Sequence, residues 1–179
     1  MSAPQPPSAD RSTPTDLTAP NAGRFGPLPD DVRRRWAKFC DWEEDYFPNH
    51  IGMVVEDLRS DYARLRLPWR EVLRQPEGVM HGGLIAALVD TCVVPAVATH
   101  YEVHPRMATV QLGVRFLRPV VGRDIVAEAW VEHRGRSMVF CHAEVRSVGP
   151  GGEVELVATA DLVFRVSSSA STAPVAAPE

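Results

Sequence analysis

The strongest pattern in the chain is a strict two-residue alternation near its C-terminal end. Leu156, Ala158, Ala160, Leu162, Phe164 and Val166 fall on one side of the segment 153–166, the spacing of an antiparallel strand with one buried face. Long alternating segments at 108–117, 124–132 and 138–148 precede it, separated by turn signals at Gly122, Gly135 and Gly149-Pro150-Gly151-Gly152. A hairpin is predicted from 52–57 and 62–67. There Ala63, Leu65 and Leu67 alternate with Arg64 and Arg66, so one face is buried and the other wet.

Helical spacing occurs twice. Val32, Trp36 and Phe39 predict a short helix capped by Asp30 or Asp31 and stopped by Pro48, with Arg33, Arg34 and Arg35 on its solvated side. The second helix opens at His81-Gly82-Gly83 and runs through LIAALVDTCVVPAVATH, apolar on nearly all sides and therefore expected to be buried. Pro95 within it removes a backbone hydrogen bond and imposes a kink or an end. A curled antiparallel sheet wrapped around this helix, an α+β architecture, satisfies every buried face.

Both ends of the chain differ in character. Residues 1–28 and 167–179 are dense in Pro, Ser, Ala and Thr, a composition expected of disordered tails, which leaves 29–166 as one domain. A net charge of -4 and pI near 5.9 argue against binding nucleic acid or an anionic membrane by bulk electrostatics. The N-terminal residues lack the apolar run of a secretory signal, and the most apolar stretch, 84–98, is short and carries Asp90. Cys40, Cys92 and Cys141 are widely spaced and odd in number, which suggests neither a metal site nor a disulfide framework but reduced thiols in a cytoplasmic protein.

The chemistry concentrates in QPEGVMHGGLIAALVDT, residues 75–91. Gly82 and Gly83 open the buried helix, where backbone N–H groups have no intrahelical partner and the helix dipole is positive. Such an end can polarise a carbonyl and stabilise an oxyanion, and glycine lets an acyl group approach the amide closely. Asp90 stands on an apolar helix, among Ala86, Ala87, Val93, Val94 and Val97. Burying it without a partner or a task would cost several kcal/mol. A reactive carboxylate and a structural one bonded to Thr91 or a loop fit the pattern equally. Gly82 and Asp90 stand about 12 Å apart along one helix, too far to act on one carbonyl. If both are catalytic, Asp90 must come from a second, antiparallel copy of the helix in a two-fold dimer.

At these residues the chain resembles the PaaI-like branch of the hotdog-fold thioesterases. That pattern reads here as Gln75, Gly78, His81-Gly82-Gly83 and Asp90, and continues through Thr109-Val110-Gln111-Leu112 and Phe116-Leu117-Arg118-Pro119, across roughly residues 50–166. The resemblance implies a single hotdog domain that hydrolyses an acyl-coenzyme A thioester without metal or cofactor, as a homodimer or a dimer-of-dimers tetramer. It implies that Gly82 donates to the thioester carbonyl and that Gln75, usually Asn in this branch, holds the carbonyl or the attacking water. Asp90 of the partner subunit would be general base or nucleophile, and Thr109 would orient the water. His81 would support the turn or touch the substrate, and Gly83 would adjoin it. Arg115, Arg118, Arg134 and Arg136 are candidates for the coenzyme A phosphates. A non-catalytic acyl-CoA-binding hotdog protein is the alternative.

Overall fold

The structure, a computed structural model, describes Leu17 and residues 19–167. Six strands form one antiparallel sheet in the order β1-β2-β4-β5-β6-β3, with β1 at Val54–Arg59, β2 at Tyr62–Leu67, β3 at Arg106–Phe116, β4 at Ile125–Arg134, β5 at Met138–Val148 and β6 at Val154–Ser167. Three helices accompany them: α1 at Asp30–Trp36, α2 at Phe47–His50 and α3 at Gly82–Ala98. The sheet curls around α3, which packs chiefly against β2 and β4: the alternation of the strands predicts this wrap, and the resemblance implies it as a hotdog domain. The inner face carries Leu65, Ala127, Val139, Ala143, Ala160 and Leu162, each at most 1% exposed, against Leu88, Val89, Cys92 and Val93 of α3.

Helix α3 runs 17 residues and continues through Pro95 to Ala98, so the proline does not end it. Nor is the helix buried all round. Ala86, Ala87, Asp90 and Val94 are only half-buried and recur at three- and four-residue spacing, one stripe of the helix facing away from the sheet. Strand β3 lies beside that stripe at the end of the sheet, paired only with β6. Val110, Leu112 and Phe116 on it are 51%, 38% and 56% exposed, three large apolar side chains left open on an edge strand of eleven residues.

Four expectations need correction. The first helix has Pro29 at its N-cap with no side-chain cap; Asp30 and Asp31 lie inside its first turn, where their charge suits the dipole. Pro48 does not stop that helix. The chain has already turned at Cys40, whose φ is +63°, and Pro48 sits in the first turn of α2. The outer face of β2 is not wet: Arg64 and Arg66 are 8% and 9% exposed. Glu56 bridges them, its carboxylate 2.7 Å from Arg64 Nε and 2.9 Å from Arg66 Nε, while Asp124 takes Arg66 Nη1 at 3.1 Å.

The fourth correction concerns the N-terminal tail, whose limit at residue 28 is too late. Leu17 is 2% exposed, and Arg64 donates to its carbonyl. Phe25 stacks on Tyr62 with ring centroids 5.2 Å apart, Ala22 is buried, and Asn21 donates from its side chain to Glu144 at 2.9 Å and from its backbone to Glu128 at 3.2 Å. This segment covers charges that would otherwise be stranded on the outer sheet face. Glu128, 2% exposed, accepts from Tyr62 Oη at 2.8 Å and Arg146 Nη1 at 2.9 Å. Composition hid the packing because few apolar side chains do it. The rest of the expected tails, residues 1–16, 18 and 168–179, lies outside the described residues.

Candidate active site

The loop 74–81 sets the N-terminus of α3 in place. Arg74 and Met80 form a bridge, Gln75 N–H donates to Val79 O at 2.8 Å, and Gly78, at φ +82°, closes the turn by donating to Gln75 O at 2.9 Å. Only a residue without Cβ takes that left-handed conformation cheaply. Met80 N–H donates to Val120 O and His81 N–H to Leu73 O, which tie the loop between two neighbouring segments.

His81 is the N-cap of α3. Its Nδ1 accepts the Gly83 N–H at 2.9 Å, so this nitrogen carries no proton and the ring satisfies one of the orphan donors of the helix. Of the two readings of His81, the geometry supplies the structural one. Gly83 accordingly spends its amide on the cap rather than on a substrate, and a Cβ there would stand 3.0 Å from His81 Nδ1. Gly82, one position earlier, keeps an N–H that the helix itself cannot satisfy.

A cleft of about 320 Å³ opens beside Gly82, lined among others by Gln75, Ile85, Phe116 and Arg118. The ring of Phe116 lies over Gly82, where an added Cβ would stand 3.3 Å from ring carbons. Phe116 is the site residue that residue-type reasoning missed. Its signal was an aromatic at the end of a strand, and only the tertiary structure lays it against the helix N-terminus.

Asp90 is absent from this cleft, two turns further along α3 and about 12 Å away along the axis. Its Oδ1 accepts the Thr109 hydroxyl at 2.8 Å. The alternative partner Thr91 is thereby replaced by a residue of β3, on the inward-facing set of that strand, opposite Phe164 of β6. The carboxylate is oriented by one short hydrogen bond and retains acceptor capacity towards the open side of α3.

The four arginines divide. Arg118 lines the cleft, donates to Leu156 O at 2.9 Å and pairs with Glu155 at 3.3 Å. Arg115 points to the outer sheet face, where Asp161 holds it at 2.6 Å; Asp161 also contacts His142 Nδ1 at 2.8 Å, and the hydrogen bonds from Arg115 and then His142 hold its carboxyl below the usual range. Arg134 is committed near the other end of α3, to Asp61 at 2.5 Å and Tyr101 Oη at 3.2 Å. Arg136 is exposed in the β4–β5 turn. The structure thus brings Gln75, Gly82 and Arg118 together and pairs Thr109 with Asp90, while Arg115 and Arg134 lie elsewhere.

The cysteines take no part. All three are free and buried, and burial pushes the Cys40 and Cys141 thiols up to about 12 and that of Cys92 higher still, which disfavours the thiolate that a nucleophile needs. Among the described residues, no group of three or more His, Cys, Asp or Glu is gathered as metal ligands would be, and no helix is long and apolar enough to cross a membrane.

A sheet curled around a helix, with the first residue of that helix, Gly82, lining a cleft, defines a hotdog-fold protein. Residues 77–154 match the sequence profile of the thioesterase superfamily, and the chain belongs to that superfamily. A candidate esterase of Halobacterium salinarum is 36% identical over 120 residues, covering 64% of this chain and 78% of that protein. A conserved protein of Pseudomonas aeruginosa is similar in structure, with TM-score 0.62 and 28% identity over 69% of this chain and 94% of that one. The PaaI protein of the Escherichia coli phenylacetic acid degradation operon shares the fold at TM-score 0.66 and 18% identity, over 77% of this chain and 95% of that one.

Proposed function

We propose that this chain hydrolyses acyl-coenzyme A thioesters in a site shared by two subunits. The observation that carries the reading is the split of the machinery along α3: an amide donor at Gly82 beside a cleft, and an oriented carboxylate at Asp90 about 12 Å away. Two copies of α3 packed antiparallel through the half-buried stripe at Ala86, Ala87, Asp90 and Val94 would set each Asp90 against the other Gly82. The apolar, singly paired edge at β3 supports the same pairing, since a long exposed edge is stabilised by another strand and a two-fold axis satisfies both edges at once.

In this reading the thioester carbonyl lies on the Gly82 N–H, and Gln75 reaches it or the attacking water from the cleft wall. Asp90 of the partner subunit takes a proton from water as it attacks, or attacks directly, and Thr109 keeps the carboxylate aimed. When water attacks, collapse of the tetrahedral intermediate expels coenzyme A thiolate and leaves the free acid; when Asp90 attacks, the same collapse leaves an acyl-Asp90 anhydride that water then hydrolyses to the free acid. Arg118, which lines the cleft although Glu155 holds it at 3.3 Å, and the exposed Arg136 are the arginines best placed to meet phosphate, whereas Asp161 and Asp61 hold Arg115 and Arg134 away from the cleft. Buried free thiols suit a reducing, cytoplasmic compartment.

Release of free thiol from a panel of aromatic and aliphatic acyl-CoA esters tests the proposal, with wild type and Asp90→Asn side by side. Asn keeps an oxygen for the Thr109 hydroxyl and so the shape of the site. Turnover is expected to fall by about 10²–10⁴-fold, the contribution of a positioned base. Near-normal turnover in a folded Asp90→Asn protein would overturn the mechanism.

A further inference from the structure

We propose that an aromatic cavity near the C-terminal end of α3 receives the adenine and its adjoining phosphates when coenzyme A is bound in the partner subunit's cleft, a proposal that rests on the two-fold arrangement above. The cavity measures about 290 Å³, the size at which small-molecule sites begin. Its walls are Trp36, Phe39, Trp42, Tyr101 and His104, with Ala98 at its base. Trp36 stacks on His104 with ring centroids 5.5 Å apart, Phe39 meets Trp42 edge-on at 5.2 Å, and Tyr101 is fixed by Arg134. Aromatic side chains that serve only a core close on one another at crystal-like density. Here Trp36, Phe39 and Trp42 touch in series, with centroids 5.3 and 5.2 Å apart, yet these rings and that of Tyr101 stay half-buried around open space, a stacking platform for one flat ring.

The rim is cationic. Lys38 is exposed, with no side-chain partner among the described residues, and Arg35 adjoins it, held by the Glu102 carbonyl and 3.7 Å from Asp31. Asp31 and Glu102 face a neighbouring opening together with Arg34 and Arg35, so the acidic groups lie beside the cavity rather than in it. A flat aromatic ring flanked by negative charge fits this combination. A neutral or cationic ring would leave Lys38 unused.

Position selects which part of the substrate reaches it. Asp90, Val94 and Ala98 follow one another at four-residue steps on one helix face, which puts the cavity about 12 Å beyond Asp90. With Asp90 against the partner's Gly82, that is also about 12 Å from the reacting carbonyl. In that dimer it lies on the side where the partner's chain enters its helix. The opposite direction runs between the two helices past Ala86 and Ala87, an apolar path suited to the acyl group. The polar arm of the thioester therefore leaves towards the aromatic cavity, and coenzyme A ends that arm with an adenine nucleotide. An acyl carrier protein ends the same arm with a folded domain, which this cavity cannot admit.

Two substrates with the same acyl group, one on coenzyme A and one on pantetheine, separate the nucleotide from everything else. Trp36→Ala is expected to raise KM for the coenzyme A ester about tenfold or more, the weight of one stacked base, and to leave kcat and the pantetheine ester unchanged. Lys38→Glu, on an exposed position that cannot disturb the core, is expected to raise KM about threefold or more for the coenzyme A ester only. Equal changes with both esters, or none with either, would overturn the proposal. Quenching of tryptophan fluorescence by adenosine 3′,5′-bisphosphate reads the same site without turnover. Quenching in wild type that weakens in Lys38→Glu supports the nucleotide site even if no ester is cleaved; no quenching in wild type refutes it. Loss of all thiol release would count against the proposed reaction alone.

Discussion

A shared site makes a quantitative prediction about mixed dimers. Gly82→Val disables the carbonyl end: the added Cβ alone stands 3.3 Å from the Phe116 ring, and two further methyl groups fill the gap where the thioester must lie. Phe116 is 56% exposed and can swing aside, so the variant should fold. Asp90→Asn disables the carboxylate. Each homodimer then contains two defective sites. In a dimer of one subunit of each kind, the Gly82 of the Asp90→Asn subunit faces the intact Asp90 of the Gly82→Val subunit, and one whole site is restored. Random mixing makes half of the dimers hybrid, so co-refolded or co-expressed subunits should recover about a quarter of wild-type activity per subunit pair. The assay is thiol release on purified mixtures, with ultracentrifugation of the same fractions to verify the dimer. The separation of about 12 Å between Gly82 and Asp90 on one rigid helix is the basis of the argument. If the verified hybrid is no more active than its parents, each chain uses its own Asp90 or none, and the shared-site reasoning fails.

Thr109→Ala removes the side-chain partner that Asp90 has among the described residues and should lower kcat about tenfold with little change in melting temperature, because the hydrogen bond is exposed; an unchanged kcat would mean that Thr109 does not orient the carboxylate. Stability should fall in acid. Asp161 is held below its ordinary range by Arg115 and then His142; for Glu144, burial acts upward but is outweighed by hydrogen bonds from Arg146 and Asn21, and its carboxyl also lies low. The unfolded chain then binds more protons as pH drops below about 4, so the stabilisation present above that pH is lost as pH falls through the depressed folded values. Melting curves against pH should show a shallower acid slope in Asp161→Asn and Glu144→Gln than in wild type, modestly for Asp161 because it is nearly half exposed. Deleting residues 1–28 should cost at least about 1.5–3 kcal/mol, the burial of Leu17 alone, measured by urea unfolding. A truncated protein as stable as the full chain would mean that the segment over Tyr62 and Glu128 contributes nothing.

The sequence by itself determined the architecture. Two-residue alternation places apolar side chains on one face of each strand, and a helix that is apolar nearly all round has to be enclosed, so a sheet curled around α3 follows from local patterning and burial alone. Observed strand limits agree with the expected ones to within a few residues for the same reason. The sequence also marked the opening of α3 as a helix N-terminus with orphan amides; that the His81 cap takes the Gly83 amide and leaves that of Gly82 was decided by the fold. What it could not determine depends on distance in three dimensions between residues remote in the chain. The partner of Asp90 is Thr109, nineteen residues on, because β3 returns beside the helix. Arg64 and Arg66 alternate as solvated side chains do, yet they are buried by Glu56, Asp124 and the segment near Leu17, a set that only packing assembles. Arg115 and Arg134 look alike as phosphate ligands in sequence and are claimed by Asp161 and Asp61 once the strands take their register. Local spacing fixes which face a side chain takes on its own element; what stands opposite that face is decided by the sheet order and the wrap of the chain around it.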